Sequence, residues 1–199
     1  MIGSTLPRAL VAALALVSLA APAPARADSR PAAPPDRYRI DPAHTAITAQ
    51  VAFFGLATKT AGFPAVSGTI ALDPARADAV ALSIVLDARQ LTAGDPVTLA
   101  RLKGPNFFAV AQYPEIRFTG THMDLAGSAA ARITGTLTAR GVTRPLVLAV
   151  RFDQPPRHGR PITLSATTTI NRREFGMTAY RFIVGSKVRI AIAARLTPE

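Results

Sequence analysis

Between Arg132 and Phe152 the chain alternates twice over (RITGTLTARGVTRPLVLAVRF), and this stretch restricts the possible folds more than any other. In its first half Ile133, Gly135, Leu137 and Ala139 share one side, while Thr134, Thr136, Thr138 and Arg140 share the other. In its second half Leu146, Leu148, Val150 and Phe152 again share a side. Side chains of a strand switch faces at every residue, so each half reads as a strand with one buried face. Between them, Gly141 supplies a positive φ and Pro145 suits a turn, a strand start or an edge. The expected unit is a long antiparallel hairpin whose turn occupies Gly141–Pro145.

The same period recurs along the chain. After a turn at Asp41-Pro42-Ala43-His44, a strand over Thr45–Phe53 places Ile47, Ala49, Val51 and Phe53 on one face. Residues 54–64 (FGLATKTAGFP) read as a loop or a bent strand at a cavity mouth. Val66–Leu72, Val80–Leu86, Ile116–Thr121, Ile162–Ile170 and Val188–Leu196 give further strands. Only residues 91–110 break the rhythm. Leu99 and Leu102 have helical spacing, Gly104-Pro105 ends that helix, and a further helical turn is expected at 106–110. About eight long strands with short connections and one helical interruption imply an all-β sandwich or barrel, and the strand lengths favour a barrel. An eight-stranded barrel is just wide enough to be filled by side chains or to hold one slender ligand.

The first residues have the character of an export signal. Arg8 precedes an uncharged run from Ala9 to Ala21, and Ala25-Arg26-Ala27 is an A-x-A cleavage pattern. We expect a signal peptide over 1–27, cleaved after Ala27, a Pro- and Ala-rich disordered lead-in over 28–37, and one domain over 38–197. The run is short for a bilayer span, and no later stretch is longer, so no integral membrane segment is expected in the mature chain. The expected location is the periplasm. The net charge is +11, but the arginines are scattered along strands and turns, which favours a solvated basic surface over a nucleic-acid site. Cysteine is absent, which excludes disulfides, thiolate metal sites and a cysteine nucleophile.

Several segments resemble the YceI-like family. Gly135-Thr136-Leu137-Thr138-Ala139-Arg140-Gly141-Val142-Thr143-Arg144-Pro145 is similar to that family's G-x-L-T-x-x-G-V-T-[KR]-P segment. Ile170-Asn171-Arg172-Arg173-Glu174-Phe175-Gly176-Met177 resembles its I-N-R-x-[DE]-F-G-M segment. Asp41–His44, the stretch from Asn106 to Phe118 and the closing strand from Val184 match further parts. The resemblance implies a lipocalin-like, extended antiparallel barrel. It also implies a periplasmic protein that holds a polyisoprenoid, a quinone tail or a similar amphiphile, with no established catalytic residues.

A barrel that carries an apolar chain needs an apolar bore and a seat for the polar end. The alternation nominates Ile47, Val51, Phe53, Ile70, Leu82, Ile84, Phe118, Leu137, Leu148 and Ile190 for the bore, with ordinary barrel packing as the competing role. Phe54, Leu56, Phe63, Phe107, Phe108, Phe175 and Met177 are nominated for the mouth; the Phe107–Phe108 pair equally suits a plug at a barrel end. Arg172 suits either a grip on an anionic head group or bonds to loop carbonyls that fix its turn. His44, His122 and His158 show no metal spacing, and no nucleophile elbow or phosphate loop is present, so neither a metal, a cofactor nor catalysis is expected. A homodimer remains open, although no segment identifies an interface. The functional readings are a lipid carrier, an enzyme acting on such a lipid at the barrel mouth, and a ligand-free structural barrel.

Overall fold

The computed structural model describes residues 36–73 and 76–199. The region read as a signal peptide and the lead-in as far as residue 35 lie outside them. The strands are β1 (Asp36–Ile40), β2 (Ala46–Phe53), β3 (Ala57–Gly62), β4 (Val66–Asp73), β5 (Arg76–Asp87), β6 (Thr92–Ala93), β7 (Glu115–Leu125), β8 (Ala130–Ala139), β9 (Val142–Phe152), β10 (Ile162–Asn171) and β11 (Val184–Pro198). One helix, α1 (Pro96–Lys103), lies between β6 and β7. Asp36 and Arg37, expected in the lead-in, are strand residues because they pair with Leu72 and Ala71 of β4.

The sheet closes on itself as an antiparallel barrel. Eight strands form the ring, in the order β1-β4-β5-β7-β8-β9-β10-β11, and β11 returns to β1. The expected strand number is met, but β1 rather than β2 closes the ring. Along the edge away from β10, the long β11 serves two neighbours: Leu196–Pro198 pair with β1, and Val184–Ala193 pair with β2. β3 and the short β6 continue the sheet from β2. The chain can leave β1 and rejoin the wall as β2 because Asp41 turns it. Its carboxylate accepts the Ala43 backbone N–H at 3.0 Å and pairs with His44 Nδ1 at 2.7 Å, which holds its pKa below the usual carboxylate value. His44 therefore serves its own turn.

Two corrections concern turns, the first in the central hairpin. Its turn consists of Arg140 and Gly141 alone, both with positive φ (51° and 72°), and Thr143–Pro145 belong to β9. This is the conformation that a two-residue hairpin needs to match strand twist. Arg140 is held there by its side chain, which donates to the carbonyls of Gly176 and Pro105. At Gly141 a Cβ would stand 2.8 Å from the Tyr113 ring. The helical turn expected over 106–110 is instead a series of hydrogen-bonded turns, with Ala109 at φ 47°.

Pro145 has a consequence for the wall. Phe152 N–H points toward β8, donating to Ala129 O, and Asp153 N–H points toward β10, donating to Thr163 O. Donors alternate sides along a strand, and the β8–β9 register is unbroken from 130 to 139, so position 145 faces the β10 side. Proline has no N–H to offer there. β9 and β10 pair only at 149–152 with 164–167, and above that level they separate into a seam. A different device acts between β7 and β8, where Gly120 and Gly135 lie opposite each other. A Cβ on Gly135 would fall 2.1 Å from Thr119 O, so only glycine permits this close approach of the two strands.

Candidate functional site

The inward residues enclose two apolar chambers set end to end along the barrel. The upper chamber, nearer α1, has a volume of about 180 Å³; the lower has about 420 Å³. Ile47, Ile84, Leu148 and Ile192 line both.

Most of the nominated side chains converge on this bore. Ile47, Val51, Phe63, Ile84, Phe107, Phe108, Phe118, Leu137, Leu148, Arg172, Met177 and Ile190 line the upper chamber. Ile70 and Leu82 line the lower one, with Ile47, Ile84 and Leu148. Four nominated residues lie elsewhere. Phe53, at the end of β2, packs edge-on against Phe54 with ring centroids 4.7 Å apart, outside both chambers. Phe54 and Leu56 occupy the β2–β3 turn and point into solvent. Phe175 is buried, but beside Leu146 and Ile170 at the β9–β10 seam, facing an outer groove that also carries Arg144, Lys187 and Arg189. Phe53 is the last residue of β2, and the other three sit in turns, where parity gives no direction.

The upper chamber is capped by α1 and the loops beside it. Asp95 is the N-cap of α1: its carboxylate accepts the Thr98 backbone N–H and the Thr98 hydroxyl, both at 2.7 Å, and pairs with Lys59 Nζ at 2.9 Å. These bonds, led by that from the Thr98 N–H, hold the Asp95 pKa far below the usual carboxylate range. Lys59 on β3 thereby ties the helix to the barrel wall. Below the cap, Phe63 meets Phe108 edge-on at 5.8 Å. Beside it four side chains make successive contacts: Arg101 lies 5.5 Å from the Tyr180 ring, Tyr180 is parallel to Phe107 at 6.0 Å, and Arg172 lies 5.7 Å from the Phe107 ring.

Arg172 is the one buried charged residue among those described, only 3% exposed. Its guanidinium donates to the carbonyls of Gly185 (2.8 Å), Ala179 (2.9 Å) and Val184 (2.9 Å), and to that of Met177. No carboxylate pairs with it; Glu174 instead accepts from Asn171. Burial, with a smaller contribution from Arg173, lowers its pKa from the usual arginine value. The carbonyls supply the compensation that a buried charge requires. Arg172 therefore pins the chain between Met177 and Gly185 while also bordering the upper chamber.

Acid–base groups are scarce around the bore. Among the described residues, no histidine or carboxylate lines either chamber; Lys59 and Arg172 are the charged groups that do. His122 and His158 pair with Asp124 and Asp36 near the surface. No group of side chains suited to a metal is found among the described residues. Nor is any helix among them long and apolar enough to cross a membrane. Sequence reasoning missed Leu86, Leu102, Ile116, Leu146, Val184 and Val188 as upper lining residues, though the alternation that nominated their neighbours also covers most of them. Tyr180 carried no periodic signal.

The molecule is thus a closed eight-stranded antiparallel barrel with an apolar, divided bore. The chain belongs to the YceI-like family, whose domain matches residues 38–196. A UPF0312 protein of Pseudomonas savastanoi pv. phaseolicola is 30% identical over 113 residues, which are 55% of this chain and 59% of that relative's length. Among solved structures, Burkholderia cenocepacia BcnA is similar with a TM-score of 0.70 at 21% identity, covering 78% of this chain and 98% of that one. A polyisoprenoid-binding domain from Saccharophagus degradans, implicated in plant cell wall breakdown, has a TM-score of 0.64 at 15% identity, covering 81% and 98%.

Proposed function

We propose that this protein is an exported carrier that holds one long amphiphilic lipid, a polyisoprenoid, a quinone tail or a similar chain, along the barrel axis. The observation that carries the reading is the pair of adjoining apolar chambers sharing Ile47, Ile84, Leu148 and Ile192. Each buried methylene contributes about 0.8 kcal/mol, so roughly ten of them offset an association cost near the middle of its ~4–15 kcal/mol range. A tail that buries more methylenes than that gains a net favourable free energy from burial alone. The lipid-binding reading also draws on the S. degradans structure, a polyisoprenoid-binding domain of the same fold. Export to the periplasm rests on the signal-peptide pattern over 1–27.

An enzymatic role needs an acid or base within hydrogen-bond reach of the reacting atom. The charged groups bordering the bore, Lys59 and Arg172, are already committed to Asp95 and to backbone carbonyls, which favours carriage over catalysis. A ligand-free structural barrel has less support, since side chains leave both chambers unfilled.

The deciding measurement is native mass spectrometry of protein purified from its own envelope, with organic extraction and identification of what is released. A stoichiometric prenyl, quinone or acyl species is the expected result. A clean apo mass that stays clean after incubation with such lipids rejects the carrier in favour of the structural barrel.

A further inference from the structure

The end of the barrel capped by α1 carries an exposed apolar patch. Leu56 is 97% exposed, Phe182 87%, Phe54 62% and Tyr180 41%. These four are more than half of the exposed large apolar side chains among the described residues, and Val97 on α1 is another. They come from two segments far apart in sequence, the β2–β3 turn and the loop before β11. The segments touch: Phe54 N–H donates to Ile183 O at 2.8 Å. Single exposed apolar residues need no explanation, but a cluster drawn from two adjoining loops does.

The backbone makes the choice of residues more telling. Phe54 and Tyr180 have φ of 53° and 54°, in the left-handed region. Bulky aromatics are uncommon there, and glycine or asparagine would relieve the strain. Two aromatic side chains are thus held at unfavourable backbone positions while keeping large exposed faces.

The chemistry around the patch is cationic. Arg181 lies 4.8 Å from the Phe182 ring, Arg101 5.5 Å from the Tyr180 ring, and Arg173 donates to Arg181 O. None of these arginines is in an ion pair among the described residues. The neighbouring carboxylates are committed: Asp95 to Lys59 and the α1 N-terminus, Glu174 to Asn171. Pairing two copies through this face would set arginine against arginine with no free carboxylate to answer, so charge complementarity disfavours a second copy. Projecting leucine and aromatic tips ringed by arginines suit an anionic phospholipid surface, where apolar groups enter the acyl boundary and cations meet the head groups.

We propose that this end of the barrel docks on the surface of an anionic phospholipid bilayer, with Leu56, Phe182 and Phe54 entering the interface. Docking stands on the patch itself; that the docked end is also the loading end rests on the carrier reading above. Tyr180 joins the two, because it is exposed on one side and stacked on Phe107 of the upper chamber on the other.

The test is co-sedimentation of the mature protein with phosphatidylglycerol–phosphatidylcholine vesicles and with phosphatidylcholine alone. Binding is expected to the anionic vesicles, weakening as salt screens the arginines. Leu56→Ser with Phe182→Ser should lower the partition coefficient by about tenfold or more with an unchanged melting curve, since both side chains are exposed. Arg101→Gln with Arg181→Gln should remove the preference for anionic vesicles. Absence of binding, or binding unchanged in the serine variant, overturns the proposal. So does a dimer in sedimentation equilibrium that the serine variant abolishes. Lipid retention is read separately by native mass spectrometry. Retention without vesicle binding rejects docking alone, and vesicle binding without retention rejects the carrier alone.

Discussion

Tyr180 lies parallel over Phe107, with ring centroids 6.0 Å apart and 11° between the planes. The contact joins the loop before β11 to the turn after α1, two segments separated by more than seventy residues. Arg101 lies against Tyr180 and Arg172 against Phe107, so contacts among four side chains link the surface helix to a buried cation.

That coupling is measurable. Stacked aromatic pairs contribute about 0.5–1.5 kcal/mol beyond the area they bury. A double-mutant cycle of Tyr180→Leu and Phe107→Leu, followed by urea unfolding, should give an interaction energy of about 1 kcal/mol. Strict additivity within ~0.3 kcal/mol would show that the rings are neighbours without being coupled.

Arg172→Met removes a buried charge and leaves the Met177, Ala179, Val184 and Gly185 carbonyls without their donor. Losing the charge relieves a desolvation cost, but each orphaned acceptor costs about 1–3 kcal/mol unless water reaches it. The expected net loss is about 2–4 kcal/mol, seen as a lower urea midpoint with little change in slope. Arg172→Lys should recover only part of it, because an ammonium cannot present the guanidinium's planar set of donors. Full recovery by lysine would reduce the role of Arg172 to its charge.

The Lys59–Asp95 link predicts how the cap responds to acid. The Asp95 pKa is depressed in the folded protein, so the folded state favours the carboxylate. Its contribution is complete above the unfolded value near 4 and is lost progressively as pH falls below it toward the depressed folded value. The urea midpoint of the wild type should therefore exceed that of Asp95→Asn by a constant margin between pH 5 and about 8, and the margin should shrink at about pH 3. A margin independent of pH across that range would assign the effect to the cap's geometry rather than to its charge.

Periodicity explains why most of the barrel was legible in the sequence. A strand with one wet face records its orientation at every second residue, and Ile133–Ala139 or Leu146–Phe152 leave little freedom. The same rule located Ile47, Ile84, Phe118, Leu137, Leu148 and Ile190 on the bore without any coordinates. Turns carry no such record. Arg140 and Gly141 form a tighter turn than Pro145 suggested, because a proline can sit within a strand whose donor side has no partner. Phe54, Leu56 and Phe175 were nominated by type alone, and their directions depend on loop conformation. Arg172 was ambiguous because phosphate and carbonyl oxygens attract a guanidinium in the same way; its four acceptors come from a loop whose path sequence does not fix. β1 closes the ring through pairing with both β4 and β11, a long-range arrangement with no local signal.

Leu148 offers the sharpest test of the bore, since it is buried and borders both chambers. Leu148→Arg sets an unpaired cation where the two chambers meet, at a cost of several kcal/mol to any apolar chain threading past it. Lipid occupancy by native mass spectrometry should fall by about a hundredfold or more, a difference of ~3 kcal/mol or greater. Val147, next along β9, is exposed on the outer wall, so Val147→Arg should leave occupancy unchanged. Leu148→Met conserves volume and should retain both fold and ligand. If the arginine variant fails to fold, Leu148→Phe serves in its place: it narrows the junction without adding charge and should shift retention toward shorter tails. Unaltered occupancy and tail length in a folded Leu148→Phe protein, together with loss of ligand in Val147→Arg, would place the lipid outside the barrel wall.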